Sequence, residues 1–242
     1  MSAGAAPFDR DGIRRFSRIE ARFEPRPWPW ADQHREAIAA HWARRTAERP
    51  RMFNGRVLLI AEGFADGETF RATYFETDYA NLVFWLDHGC PDRSVLNGFA
   101  MGAPQGSDGG YLLGVMGPHT ATAGKVYFPA GTPDPSDRLP DGTIDLARSV
   151  HREMGEETGL TPADYDTADH WIAVRSGGLV AFMRPLRFAE PAEAVRARIL
   201  AFLAGEPEPE LADIRVARSL ADLDPRAMPA YLQAFLRWAY RT

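Results

Sequence analysis

One cysteine, Cys90, is all that the chain holds in 242 residues. A disulfide within the chain is therefore excluded, which fits a reducing compartment such as the cytoplasm. Its setting, Asp87-His88-Gly89-Cys90-Pro91, reads as a helix exit and turn rather than as the surroundings of a nucleophile. Basic charge is not in excess either. The formal net charge is −5, so no nucleic-acid partner is expected. Acidity leaves a phosphate-bearing ligand open, because a bound cation reverses the local field. No run of about 18 apolar residues occurs, so no membrane span is expected. The first residues lack the basic and then apolar order of a signal peptide. Internal repeats and low-complexity tracts are missing as well.

What is present is ordinary for a globular protein: 45% hydrophobic and 25% charged residues, in a chain long enough for one large domain or two small ones. Residues 1–15 read as a loose arm and 16–23 as a strand. A stiff connector with three prolines covers 24–30, and a helix 32–48 follows. A strand at 56–61, a turn at 63–67 and a strand at 69–75 form a hairpin. A helix begins near Asn81, with Thr77 or Asp78 as its cap. Residues 100–104 are small and tight. Strands follow at 111–116 and 125–128, then a helix at 145–158. A second hairpin, 171–175 with 179–186, turns at Gly177-Gly178. The chain closes with a helix at 192–203, an acidic loop at 205–210, a strand within 211–220 and a helix at 228–240. Strands and helices do not alternate strictly, which argues for an α+β fold. A break near residue 95 divides the chain into a smaller N-terminal sheet-and-helix unit, 1–95, and a second unit, 96–242.

The segment Arg152-Glu153-Met154-Gly155-Glu156-Glu157-Thr158-Gly159-Leu160 carries the chemistry. Each helical residue advances about 100°, so Glu153 lies between Glu156 and Glu157 and the three share an arc of roughly 100°. Ala147, Val150 and Met154 fall on a neighbouring face suited to burial on a sheet. Gly159 stands where a left-handed cap ends a helix, and Thr143 or Asp145 can cap its start. The glutamates lie toward the helix C-terminus, where the macrodipole disfavours them. They repel one another unless something neutralises them. A hard cation such as Mg²⁺, which takes a few carboxylates with water and phosphates, does so, and Arg152 can orient the cluster. This is a setting for cutting a phosphoanhydride. A solvated acidic face is the plainer alternative.

Arg152 to Leu160 resembles the second half of the Nudix box, Arg-Glu-apolar-x-Glu-Glu-x-Gly-apolar, at every defined position. Phe128-Pro129-Ala130-Gly131 resembles the usual lead-in to that box. The resemblance implies a mixed sheet in an α/β/α sandwich, a pyrophosphohydrolase activity and Mg²⁺ or Mn²⁺ as cofactor. It implies metal binding at Glu153, Glu156, Glu157 and Gly131, with support from Arg152. The first half of the box departs from the pattern. Ile144 occupies the place of the expected glutamate, eight residues before Arg152, and the loop 131–145 is longer than usual. Asp145 either replaces that acid or only caps the helix. Glu208 and Glu210 are candidate accessory acids, or part of an exposed loop.

The N-terminal unit resembles that of the Nudix branch acting on UDP-glucose and UDP-galactose, through Met52-Phe53-Asn54, Thr77-Asp78-Tyr79 and Met101-Gly102-Ala103. This implies a small nucleoside diphosphate derivative as partner, with Thr77, Asp78 and Tyr79 as candidate substrate-binding residues. Capping by Thr77 and Asp78 and core packing of Tyr79 are the alternatives. Gly124-Lys125-Val126-Tyr127-Phe128-Pro129 resembles part of a coenzyme A pyrophosphatase signature, a second enzymatic reading. A Nudix-derived binding or regulatory module is the non-enzymatic one, with Ile144 in its favour.

Overall fold

The computed structural model describes residues 11–241; the first ten residues of the arm expected at 1–15 lie outside them. The fold is α+β, with two sheets. The larger is a mixed sheet in which β1 (Gly12–Phe16), β10 (Trp171–Ser176), β11 (Leu179–Arg187), β5 (Asn97–Gln105), β6 (Tyr111–Met116) and β12 (Leu211–Ala217) lie side by side in that order. β11 and β5 run parallel, and β10 and β11 antiparallel. Short strands β7 (Val126–Tyr127), β8 (Ala130–Gly131) and β9 (Asp166–Thr167) pair off this path. The smaller sheet has the order β2 (Arg18–Phe23), β4 (Thr69–Asp78) and β3 (Arg56–Asp66).

Alternation along the strands decides the layers. On β11, Val180 and Phe182 enter one core while Ala181 and Met183 enter another, the period-2 rule for a strand buried on both faces. The first core packs the large sheet against α4 (Leu146–Thr158), α5 (Ala192–Leu203) and the inner face of the small sheet. The second lies under α6 (Ala230–Ala239). A third holds α1 (Pro29–Gln33), α2 (Arg35–Glu48) and α3 (Tyr79–Asp87) on the outer face of the small sheet. No helix among the described residues is long and apolar enough to cross a membrane.

Several elements differ from the sequence reading. The arm expected at 11–15 is strand: Gly12–Phe16 pairs with β10. The single strand expected at 16–23 is interrupted at Ser17, and its second part pairs parallel to β4 in the other sheet. Chain breaks of this kind are set by pairing partners far away in sequence. The turn placed at 63–67 is confined to its end, because β3 continues through Asp66. Residues 100–104, read only as small and tight, lie in the central strand β5. Smallness has a packing reason there: a Cβ on Gly102 would stand 2.9 Å from Met154 Sδ and 2.8 Å from Leu186 Cδ1. The strand is bare so that α4 can approach it. The helix expected from residue 32 is broken at His34 into α1 and α2. Asp78 stands at the N-cap position of α3, as expected, but its side chain makes no capping bond; Asn54 Oδ1 instead accepts from the Ala80 N–H at 2.8 Å.

The loop 131–145 closes the small sheet on both sides. Leu58 N donates to Pro133 O at 2.7 Å on the β3 edge. On the β2 edge, Phe23 N donates to Gly142 O at 2.8 Å and Ile144 N to Ala21 O at 2.9 Å. Open sheet edges invite association, so this length of loop has structural work at both ends.

Candidate active site

α4 is held at both ends. Asp145 Oδ1 accepts from Arg148 N at 2.9 Å, and Gly159 ends the helix at φ 71°. Leu146, Val150 and Met154 are buried in the core, so the opposite side of the helix is fixed in orientation. Asp145 is thus engaged as a cap at the first turn.

Glu153, Glu156 and Glu157 come together along a cavity of about 190 Å³. Glu206, Glu208 and Glu210, from the loop between α5 and β12, line its other side. The two candidate accessory acids therefore do face the cluster. Glu208 pairs with Arg51 from the loop between α2 and β3, which lowers the carboxyl's pKa. Glu210 is anchored through its backbone, with its carbonyl accepting from Gly117 N at 2.7 Å.

The glutamates differ in surroundings. The Glu156 side chain is 61% exposed and that of Glu153 12%. Arg152 Nη1 reaches Glu153 Oε1 at 2.9 Å and Glu156 Oε2 at 3.1 Å. Glu157 is buried; its Oε1 accepts from Ala130 N at 3.1 Å, while its Oε2 is buried with no hydrogen-bond partner. Burial pushes the Glu153 carboxyl up to about 7 against the opposing pull of Arg152. Burial, then the charge of Glu153, holds Glu157 well above the carboxylate range. Burial also works against the charge on Arg152, but Glu153, Asp137 and Glu156 together keep its proton on.

Gly131 lies against this cluster. A Cβ there would stand 1.9 Å from Glu153 Oε1, so the absence of a side chain makes room for the carboxylate. An orphaned buried carboxylate oxygen, two carboxyls whose charge the protein leaves poorly compensated and an all-oxygen donor set suit a hard divalent cation. Among the described residues, no three acidic, imidazole or thiol groups are already gathered as a metal cage. Mg²⁺ does not require one, since it commonly keeps several waters and takes one or two carboxylates with substrate phosphates. A larger depression of about 330 Å³ lies over β12. Arg196 and Asp213 there pair at 3.0 Å, and the cluster of glutamates is elsewhere.

Sequence reasoning missed Asp137. It sits in the 3-10 turn Pro135–Asp137 before α4, is 1% exposed, and its Oδ2 lies 3.4 Å from Arg152 Nη2. Nothing periodic marks it; Asp134-Pro135-Ser136-Asp137 reads as turn residues alone. Ile144, where the box pattern wants an acid, is 3% exposed in the main core.

The N-terminal candidates have local partners. Thr77 is buried, and its hydroxyl accepts from Asn81 Nδ2 at 2.9 Å. Asp78 pairs with Arg56 at 2.5 Å. Tyr79 packs edge-on against Trp42, with ring centroids 6.0 Å apart. Burial raises its phenol pKa, and it lies near enough to Glu210 to feel that charge. Tyr127, raised first by burial, senses Glu157, Glu210 and Tyr79 together. The contact between this region and the glutamate cavity is made by Arg51, just before β3, which pairs with Glu208 on the cavity wall.

No family model matches the chain, and no curated protein matches it. Solved structures similar to it include a Nudix hydrolase from M. smegmatis, RenU, at 17% identity, covering 58% of this chain and 80% of that one with a TM-score of 0.36. A MutT protein from Methanosarcina mazei Go1 is 19% identical over 60% of this chain and 94% of that one, with a TM-score of 0.34. A Nudix hydrolase from Nitrosomonas europaea is 14% identical over 59% of this chain and 69% of that one, with a TM-score of 0.36. Likeness of this degree carries no functional argument by itself; the side chains around α4 do.

Proposed function

We propose that this chain is a Nudix-type pyrophosphohydrolase, dependent on Mg²⁺ or Mn²⁺, that cuts the diphosphate of a small nucleoside diphosphate derivative. The observation that carries the reading is Glu157: a buried carboxylate with an unpartnered oxygen, beside Glu153 and Glu156 in one cavity. A structural glutamate in a core would have both oxygens satisfied; a ligand for a cation would not. The box resemblance over Arg152 to Leu160 agrees with it.

In this mechanism Glu153, Glu156 and Glu157 would hold the cation, with the Gly131 backbone beside them. When bound, the cation supplies neutralising charge for the diphosphate and acidifies water at the site. Arg152 fixes Glu153 and Glu156 through one guanidinium nitrogen, which limits the reorganisation needed as charge develops. Glu153 and Glu157 are largely removed from water, which strengthens the charge interactions at those two carboxyls. Glu208 and Glu210 face the cluster from the opposite wall; Glu208 is engaged by Arg51, which leaves Glu210 as the one of the two to take a proton from water. The substrate class we assign is a UDP-sugar, cleaved to UMP and sugar 1-phosphate. The unit spanning 1–95 is assigned substrate recognition through Tyr79, with Thr77 and Asp78 shaping the strand end that presents it. Its setting would be cytoplasmic.

The test is a panel of UDP-glucose, UDP-galactose, ADP-ribose, coenzyme A and NADH with Mg²⁺, with products identified by mass spectrometry. UMP released from the UDP-sugars is the expected result, lost in Glu156→Gln while the fold persists. Cleavage of another member of the panel overturns the substrate class alone. Wild-type turnover in Glu156→Gln overturns the metal assignment.

A further inference from the structure

Ile144 cannot be the site of a lost acid in this chain. Its side chain is in the main core, and its N–H is bonded to the small sheet through Ala21 O. A carboxylate there would be buried without a partner. Yet Arg152 must be aimed by something other than the glutamates it serves. A guanidinium held only by Glu153 and Glu156 would follow them whenever they turned toward a cation. Its Nη1 is committed to both, and its Nε is buried without a partner. Nη2 is the atom that meets a group outside the cluster, and that group is Asp137.

We propose that Asp137 is a positioning residue of the cation site: from the loop that precedes α4 it holds Arg152 in place, and through Arg152 it presets Glu153 and Glu156. This rests on the reading of the cavity as a divalent-cation site. Asp137 is well built for the task. Its backbone N–H is tied to Asp134 O at 3.1 Å, and its Oδ2 also accepts from Asp134 N at 3.2 Å. Its backbone carbonyl accepts from Asp145 N at 2.9 Å, and Asp145 is the residue that caps α4. One buried residue is thereby fixed to the N-cap of the helix by its backbone and to the second turn by its carboxylate. The same loop is bonded to β3 through Pro133, so the small sheet and the cation site share this anchor. The long loop that departs from the box pattern thus delivers an acid from fifteen residues before Arg152. Such supporting contacts behind a ligand commonly change metal affinity by about 10–100-fold.

The experiment uses the full chain and Mn²⁺ alone as probe, with affinity read by electron paramagnetic resonance and folding by Tm. Asp137→Asn keeps the size and an acceptor for Asp134 N but removes the charge. The expected result is Mn²⁺ affinity reduced about 10–100-fold in a protein that still unfolds cooperatively. Asp137→Glu, with the charge on a longer arm, should fall between the two. In an Arg152→Gln background, Asp137→Asn should have little further effect on Mn²⁺, because Asp137 acts through Arg152. Wild-type Mn²⁺ affinity in Asp137→Asn, or an undiminished loss in the Arg152→Gln background, overturns the proposal. Should Asp137→Asn not fold, wild-type affinity in Asp137→Glu overturns it equally. Failure of the wild-type chain to bind Mn²⁺ would instead overturn the reading of the cavity itself.

Discussion

A single methyl group at Gly131 should separate the cation site from the fold. The Cβ of Gly131→Ala would stand 1.9 Å from Glu153 Oε1 and 2.6 Å from its Cδ. Ordinary contact begins near 3.4 Å, so the carboxylate must retreat by about 1.5 Å. Gly131 is not among the glycines with positive φ, and alanine meets no backbone strain there. The displaced atoms are the far end of a side chain rather than backbone. Stability should therefore change by only about 1 kcal/mol or less. Function should respond quite differently, since a misplacement of about 1 Å costs on the order of 10²-fold in rate. The assay is a Tm scan beside a Mn²⁺ titration, with turnover once a substrate is in hand. A Tm close to wild type with Mn²⁺ affinity down about 10–100-fold is expected. Wild-type affinity, or a Tm that collapses, would refute the reasoning, because either result would mean that Glu153 is not the group that yields.

Glu153 also predicts a pH dependence. Its carboxyl is raised by burial from 4.5 to about 7 in the cation-free protein, so the folded state binds this proton more tightly than the unfolded chain. The stabilisation is full below 4.5 and is lost as pH rises through about 7, a change of about 3 kcal/mol. Stability measured in chelator between pH 5 and 8 should fall less steeply in Glu153→Gln than in wild type. His41 and His151, whose pKa values burial lowers, act in the opposite sense in both proteins and cancel in the comparison. Equal slopes would show that Glu153 is not held in its proton-bound form. At Gly159, alanine should act on the fold. The residue is left-handed at φ 71°, and a Cβ would meet Phe202 Cδ2 at 2.4 Å. Gly159→Ala should cost about 2–4 kcal/mol and lower Tm by roughly 5–15 °C for a chain of this size; a Tm within about 2 °C of wild type would contradict the cap.

The chemistry-bearing helix was legible because its information is local. Spacing alone placed Glu153, Glu156 and Glu157 on one arc, Val150 and Met154 on the core side, and Gly159 at the left-handed end, as observed. Elements fixed by distant pairing were not legible. The break at Ser17 exists because two sheets claim adjacent residues. β5 was hidden because its glycines answer to side chains packed on them, Gly102 to Met154 and Leu186 and Gly98 to Ile60 and Tyr74, not to any strand propensity. The cap of α3 comes from Asn54, far back in the chain.

The sequence by itself determined which helix carries the glutamates, which side of it is buried and which cation chemistry its residue types suit. Helical periodicity is a property of neighbouring residues and needs no partner to be read. Only the tertiary structure decided what surrounds that helix. It turned Ile144 into core, made Asp145 a cap, brought Glu208 and Glu210 across the cavity, and carried Asp137 to Arg152. The placements of Ile144, Asp145 and Asp137 depend on how a long loop is tied to two sheet edges. A buried charge finds its partner through the path of the backbone in space, which no spacing along the chain encodes.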